Sequence, residues 1–343
     1  MTLPDLSEPP APPQRPRRTR RRIRRWVGLG VVVLLAGAVL AAAPWDPQRR
    51  QAYADQFVVW TEPPSESIEQ LAEELTLTET GRRIFFASRP RIEDASDFQE
   101  HCTVEAGIVL GCYYRWQIYV YEVTDERLAG TIEATAAHEL LHAVYARMSD
   151  EEQARIDALV AQVVATLPET DSDVQAVAGY PESQWADEWH SRLGTSHTGL
   201  PAELEAHYAE IFADRAQVLA YATEATEQLD EYAERIAQLS AELDAAAADL
   251  EARSAAYDAA LAALNADIED FNARADAGSF PSQSAFDAER ESLLARQDAL
   301  ESERLALNAD VDAYNAKLAE LQSLDAERAE LYSHLDSRAA PDS

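Results

Sequence analysis

The sequence predicts an α+β domain that follows one transmembrane helix and precedes a long antiparallel α-helical coiled-coil hairpin. Three features of the sequence lead to this prediction: an uncharged stretch near the N-terminus, a strand-like segment directly before an amphipathic helix, and two heptad runs separated by a turn sequence. In chain order the predicted parts are a basic cytoplasmic segment (1–25), a transmembrane helix (26–45), a linker (46–64), the α+β domain (65–200), the hairpin (201–337, turning near 277–286) and a tail (338–343).

The N-terminal region has the charge pattern of a membrane anchor. Eight arginines lie in the first 25 residues, and the twenty residues from Trp26 to Trp45 carry no charge. A helix of about 20 apolar residues spans a bilayer, and basic residues favour its cytoplasmic side. We therefore expect a single-pass protein of the cell membrane, with a cytoplasmic N-terminus and all later parts outside the cytoplasm. A cleaved signal peptide is the alternative, because Ala41 to Ala43 resemble a cleavage site.

The charge balance reverses after this basic segment. The first 25 residues hold 8 of the 29 basic and 2 of the 62 acidic residues, so the remainder carries 21 basic and 60 acidic side chains, a net charge of −39. A surface with this charge repels polyanions. Nucleic acid is therefore excluded as a partner of this part of the chain.

A short histidine motif marks the candidate functional site. His138, Glu139 and His142 belong to the pattern HELLH, and a helix with this spacing places two imidazoles one turn apart on one face. Two such imidazoles are typical Zn²⁺ ligands, and Glu139 can act as general base on a water held at the zinc. The pattern therefore predicts a hydrolytic zinc site. The alternative is a surface helix on which the two histidines are incidental.

The segment around the motif supports the zinc interpretation. Residues 113–123 are rich in aromatic and β-branched side chains and predict a strand, and residues 131–148 predict the helix that carries HELLH. In this order of strand, loop and motif helix, the segment resembles the zincin metallopeptidases. The resemblance implies a strand that lies along the cleft and pairs with an extended substrate. The rest of the domain predicts helices at 67–75, 150–167 and 182–193 and a strand at 83–88.

A catalytic zinc needs a third protein ligand. Metzincins would have Gly and His at the positions of Tyr145 and Met148, which excludes that subgroup, whereas gluzincins take a glutamate from a later helix. In the predicted helix 182–193, Glu188 shares one stripe with Trp185, Trp189 and Arg192. A carboxylate on an inward face needs a partner, so Glu188 is the predicted third ligand. The alternative is a solvated Glu188, with the third ligand taken from Asp187, Glu182 or His190.

Peptide hydrolysis also requires a group that stabilises the oxyanion of the tetrahedral intermediate. His190, two residues after Glu188, is the first candidate and is the second predicted catalytic residue besides Glu139. Four other side chains remain as alternatives: Tyr180, His197, His207 and Tyr208.

Two cysteines, Cys102 and Cys112, are separated by nine residues. On the predicted outer side of a membrane, thiols pair into disulfides. A disulfide is therefore expected between them, next to the predicted strand. A thiolate that helps to bind a metal is the competing interpretation.

The C-terminal part predicts a helical hairpin. Apolar residues recur at heptad spacing before Gly278 and again after Pro281, and this sequence between the runs is a turn signal. The second run, about 50 residues long, reaches back about 75 Å along the first. The hairpin could be a spacer or a dimerisation element, or it could dock a specific protein partner.

Together these features predict a membrane-anchored zinc metallopeptidase that hydrolyses peptide bonds in a peptide or protein substrate. The alternative from a different class is a catalytically inactive scaffold of the cell envelope that acts through its acidic coiled coil. The intact His138, Glu139 and His142 favour the peptidase.

Overall fold

The computed structural model describes residues 30–34, 47–102 and 108–338. The chain divides into a short unit that ends at Ala54 and a larger unit that begins at Asp55. The helices are α1 (Pro47–Thr61), α2 (Glu66–Glu74), α3 (Glu79–Ala87), α4 (Ala95–His101), α5 (Thr131–Tyr145), α6 (Asp150–Val164), α7 (Ser172–Val177), α8 (Trp185–Ser196), α9 (Ala202–Ala209), α10 (Arg215–Asp276) and α11 (Gln283–Leu335). The strands are β1 (Arg91–Glu93), β2 (Gly111–Tyr114) and β3 (Gln117–Tyr121).

The predicted α+β class is wrong. Helices dominate the described residues, and three short strands form one sheet in the order β1-β3-β2. The predicted strand 83–88 lies almost entirely in helix α3, whose first turn is capped by the hydroxyl of Thr78. Ile84, Phe85 and Phe86 are all buried. A run of consecutive apolar residues does not distinguish a strand from a helix with a wide buried face, and here the helix cap decides.

The predicted transmembrane helix is not supported either. Among the residues that the structure describes, no helix is long and apolar enough to cross a membrane. Of the segment 26–45, only residues 30–34 are described, as helix. The predicted single-pass location in the cell membrane, which rests on this helix, is corrected with it; the basic segment 1–25 lies outside the described residues.

The predicted strand 113–123 forms a tight hairpin of two strands. Arg115 and Trp116 both have positive φ angles, 51° and 68°, at the turn between β2 and β3. β2 pairs antiparallel with β3, and β1 pairs parallel with β3 on its other side. β2 is therefore an edge strand of the described sheet. The disulfide between Cys102 and Cys112 is present and attaches β2 to the end of α4, so neither sulfur is a metal ligand.

The motif helix α5 lies at the centre of the hydrophobic core. Ala136, Ala137, Leu140, Leu141 and Ala143 are completely buried. They pack among side chains of the surrounding helices α2, α3, α6, α8 and α9 and of strand β3. This packing fixes the remaining face of α5, which carries the two motif histidines.

Helices α10 and α11 form a long antiparallel pair. At 1.5 Å per residue, their 62 and 53 residues extend about 90 and 80 Å. Ion pairs join them along their length: Arg235 with Glu320, Arg253 with Glu303, Lys317 with Glu242, and Arg274 with Glu289. The chain reverses between Ala277 and Ser282, where Gly278 has a φ of 65°.

Candidate metal centre

Helix α5 brings the two motif histidines together. The Nε2 atoms of His138 and His142 lie 3.1 Å apart, and the planes of the rings are almost perpendicular. Both side chains are partly buried. Four-residue spacing on a helix accounts for this convergence, because it stacks side chains one turn apart.

Helix α8 supplies Glu188 to the same point. Its carboxylate oxygens lie 3.8 Å from Nε2 of His138 and 3.5 Å from Nε2 of His142. Glu188 is only 3% exposed. One ligand atom from each of these three residues lies within 4.8 Å of the others, so the group could hold a metal ion.

The donor set fits a tetrahedral metal site. Ligand atoms about 2.0–2.1 Å from a tetrahedral Zn²⁺ lie about 3.3 Å from one another. The two Nε2 atoms are 3.1 Å apart, close to that value, and the distances of 3.8 and 3.5 Å join His138 and His142 to the two different oxygens of Glu188. Two imidazoles and one carboxylate are also a typical donor set for catalytic zinc, which leaves the fourth position free.

Further side chains orient these donors. Asp187 contacts Nδ1 of His142 at 2.8 Å, which turns Nε2 toward the other donors. Arg192 donates to Glu188 at 2.6 Å and to Asp173 at 2.7 Å. His197 contacts the second oxygen of Asp173 at 2.9 Å. Glu188 is therefore held from behind by a partly buried chain of alternating charges.

The electrostatics of the group favour a cation. Burial lowers the pKa of His142, but hydrogen bonds to Asp187 and Glu188 outweigh this effect and raise that pKa to about 10. Burial opposes the ionisation of Glu188, yet His142, His138 and Arg192 lower its pKa to about 2. His138 has a pKa lowered to about 3 by burial and by His142. An ionised carboxylate thus faces a neutral imidazole and a second imidazole whose surroundings stabilise positive charge.

Glu139 lies next to the metal group without joining it. Its side chain is 5% exposed, and burial raises its pKa to about 7. It packs directly under Gly111, where an added Cβ would come within 2.8 Å of Glu139 Oε1. Glycine at the start of β2 thereby leaves room for this carboxylate, which is placed for proton transfer.

His138 and Glu139 open onto a cleft of about 570 Å³. The segment Ile108–Gly111, helix α5 and the beginning of α10 all contribute to its walls. Tyr180 and Arg192 line it as well. The cleft is large enough for several residues of a peptide or for a comparable ligand.

The structure places His190 away from this cleft. Its side chain is completely buried, with Nε2 2.9 Å from Nε2 of His207 and the ring packed against Tyr145. Tyr208 is also buried and donates to the backbone carbonyl of His190. None of these four side chains lines the cleft. Helix periodicity explains the difference, because two residues rotate a side chain by about 200° away from Glu188.

The remaining sequence alternatives take other positions. Glu182 is exposed in a short 3₁₀ turn before α8, and Asp187 contacts the outer nitrogen of His142. His197 pairs with Asp173, and these two residues with Asp171 form a second group that could hold a metal. Arg192 already engages Asp173 in that group. Of the alternatives for the oxyanion, Tyr180 is the one that lines the cleft.

Sequence reasoning missed the residues that orient the ligands. Arg192 stands four residues after Glu188, a spacing at which opposite charges meet on a helix, so this contact was readable. The approach of Asp173 and the close packing of Gly111 on Glu139 depend on tertiary structure and left no local signal.

No protein-family model, curated protein or solved structure matches this chain.

Proposed function

We propose that this chain is a zinc-dependent metallopeptidase of the gluzincin-like type, with His138, His142 and Glu188 as metal ligands. One observation carries the proposal: donor atoms of three residues lie within 4.8 Å of one another, beside a buried carboxylate that is not one of them. The donor chemistry and the resemblance of the motif region to zincins favour zinc. When bound, Zn²⁺ would act as the Lewis acid that polarises the scissile carbonyl.

Glu139 acts as the general base and acid. With a pKa of about 7, its carboxylate can take a proton from the attacking water and return it to the leaving amine near neutral pH. Burial raises this pKa, and the close packing of Glu139 under Gly111 of β2 contributes to that burial. A pKa near the pH of the reaction suits both proton transfers, the one from the water and the one to the leaving amine.

The substrate backbone adds to the sheet at β2. This strand is paired on one side only among the described strands, and the residues that lead into it line the cleft. An extended peptide can therefore hydrogen bond to the free edge while its scissile bond lies over Glu139. Tyr180, whose side chain lines the cleft, replaces His190 as the proposed hydrogen-bond donor to the oxyanion.

The test compares two isosteric changes on the same helix. Glu139→Gln in the full chain should retain bound zinc and lose about 10²- to 10⁴-fold in peptide cleavage, because an amide cannot accept the proton. Glu133→Gln, on α5 but outside the cleft lining, is the matched control and should cleave like the parent.

Plasma mass spectrometry measures the metal content of each variant. Cleavage of a quenched peptide mixture, with and without a chelator, measures activity. Equal cleavage by parent and Glu139→Gln would overturn the peptidase proposal. A parent protein that binds zinc stoichiometrically but cleaves nothing would favour the inactive scaffold.

A further inference from the structure

The first turns of the long hairpin form a wall of the cleft. Five residues of α10 line it, Ala225 among them, and the other four stand at positions i, i+3, i+4 and i+7, namely Leu219, Ala222, Thr223 and Thr226. This spacing defines a single helical face. The hairpin is therefore built into the site from its first turns.

A matching face of the motif helix lies on the same cleft. Thr131, Ala134, Thr135 and His138 of α5 line it with the same spacing. One end of this second face is the metal ligand His138 itself. Two stripes of mostly small, uncharged side chains thus line a groove that leads to the metal centre.

The two helices are fixed against each other. An added Cβ at Gly130, which precedes α5, would come within 2.6 Å of the backbone oxygen of Tyr221 in α10. Val218 is completely buried, and Arg215 donates to the carbonyls of Gly194 and His197 at the end of α8. These close contacts and buried anchors hold α5 and α10 at a fixed distance from each other. The size of the side chains that line the groove therefore determines its width.

The other end of the hairpin holds the opposite wall. Ser337, just after α11, donates from its hydroxyl to the backbone oxygen of Val109, a cleft-lining residue. Leu331 and Leu335 of α11 are buried against Leu110 and Leu128. The hairpin therefore supplies one wall and braces another.

From this geometry we infer that the groove between α5 and α10 is a substrate subsite for uncharged residues of an extended peptide, and that Ala222 limits the size of the side chains it accepts. The inference rests on the proposed peptidase function. Seven residues separate Thr131 from His138, about 10 Å of helix, which matches about three residues of extended chain.

The chemistry of the lining gives the substrate class. Apart from His138 and the proposed general base Glu139 at the metal end, the lining residues of α5 and α10 are uncharged, and the nearby Asp173 and Arg192 already pair with each other. A charged substrate side chain in the groove would lose water without gaining a partner. The parent should therefore favour uncharged residues at about three consecutive positions on one side of the scissile bond.

The test uses two bulky substitutions on one helix. Ala222→Phe should reduce cleavage of peptides with Leu, Phe or Tyr on that side by about 10- to 200-fold, while peptides with Gly or Ala there change little. Ala220→Phe, on the exposed face of α10 and outside the cleft lining, should leave the profile unchanged. Thr226→Trp, at an exposed lining position that tolerates a large side chain, is the second variant and should act like Ala222→Phe.

Cleavage sites in a peptide mixture are read by mass spectrometry in the full chain, with zinc content measured for every variant. Binding of fluorescent peptides to the zinc-loaded Glu139→Gln variant, alone and combined with Ala222→Phe, is a readout independent of catalysis. A parent profile that favours charged residues, or equal profiles for the parent, Ala222→Phe and Thr226→Trp, would overturn the subsite.

The two proposals fail differently. If the parent cleaves no peptide but Glu139→Gln binds peptides and Ala222→Phe weakens that binding about 10-fold or more, the peptidase function fails and the subsite stands. If cleavage occurs and binding is the same with and without Ala222→Phe, the subsite fails and the peptidase function stands.

Discussion

The candidate metal centre and the hairpin contain the same local pair of charges in two different surroundings. In α8, Glu188 and Arg192 form an i,i+4 ion pair whose side chains are 4% and 21% exposed. In α10, Asp270 and Arg274 form a pair with the same spacing, but their side chains are 67% and 36% exposed. The spacing of the residues on a helix therefore predicts both contacts. Burial distinguishes the Glu188–Arg192 pair, which supports the site, from the Asp270–Arg274 pair, which lies on a solvated face.

The largest difference should appear when the arginine is removed from each pair. Arg192→Ala removes the cation that pairs with both Glu188 and Asp173 and leaves these carboxylates only their histidine contacts, so the unfolding free energy should fall by about 3 kcal/mol. Arg274→Ala removes exposed contacts to Asp270, Glu289 and the Phe280 ring, and should shift the unfolding midpoint far less than Arg192→Ala does. Chemical denaturation of the zinc-free proteins measures both. Equal losses would mean that burial does not distinguish the two regions.

A smaller effect is expected for the carboxylate behind His142. Asp187→Asn weakens the contact to Nδ1 that directs Nε2 toward the other ligands, and should lower zinc affinity about 10- to 100-fold. Asp270→Asn on the hairpin is the matched control and should bind zinc like the parent. Competition with a chromophoric chelator gives both affinities. An unchanged affinity for Asp187→Asn would show that the orientation of His142 comes from packing alone.

The smallest effect concerns the pH dependence of Asp173. Burial opposes its ionisation, but His197 and Arg192 lower its pKa from 3.8 to about 2. A carboxyl whose pKa is lower in the folded than in the unfolded protein stabilises the fold at pH values above its unfolded-state pKa. This stability disappears as the pH falls from about 4 toward 2. The parent should exceed Asp173→Asn by about 2 kcal/mol at pH 5.

The stability difference between the parent and Asp173→Asn should shrink to about 0.4 kcal/mol at pH 2, where Asp173 is half protonated. Denaturation at a series of pH values follows this change. The pKa of His197 is raised by the same contact, so its share is present below 6.5 and decreases as the pH rises above that value. A constant difference across this range would contradict the ion-pair explanation.

The sequence predicted well what depends on local periodicity. The motif helix, the placement of Glu188 on an inward face and the two long helices all follow from spacings of three, four and seven residues. Glu188 is buried beside both histidines because the large side chains of its stripe pack inward. The disulfide is present, although its prediction rested on a location outside a membrane that is not supported.

The errors arose where spacing is uninformative. The apolar run at 83–88 satisfies a strand and a helix equally, and the cap at Thr78 decides for the helix. His190 was assigned by proximity in sequence, although two residues along a helix point to nearly opposite sides. The wall that α10 adds to the cleft joins residues about 90 positions apart, and only the tertiary structure brings them together.

The central claim is that His138, His142 and Glu188 together hold one zinc ion. Calorimetric titration of zinc onto the chelator-stripped full chain tests it most directly, with Glu188→Ala and the exposed Glu182→Ala as a matched pair on neighbouring turns. The parent and Glu182→Ala should each bind one equivalent tightly, whereas Glu188→Ala should lose tight binding because two imidazoles cannot hold the ion alone. Tight stoichiometric binding by Glu188→Ala, equal to that of the parent, would contradict the account.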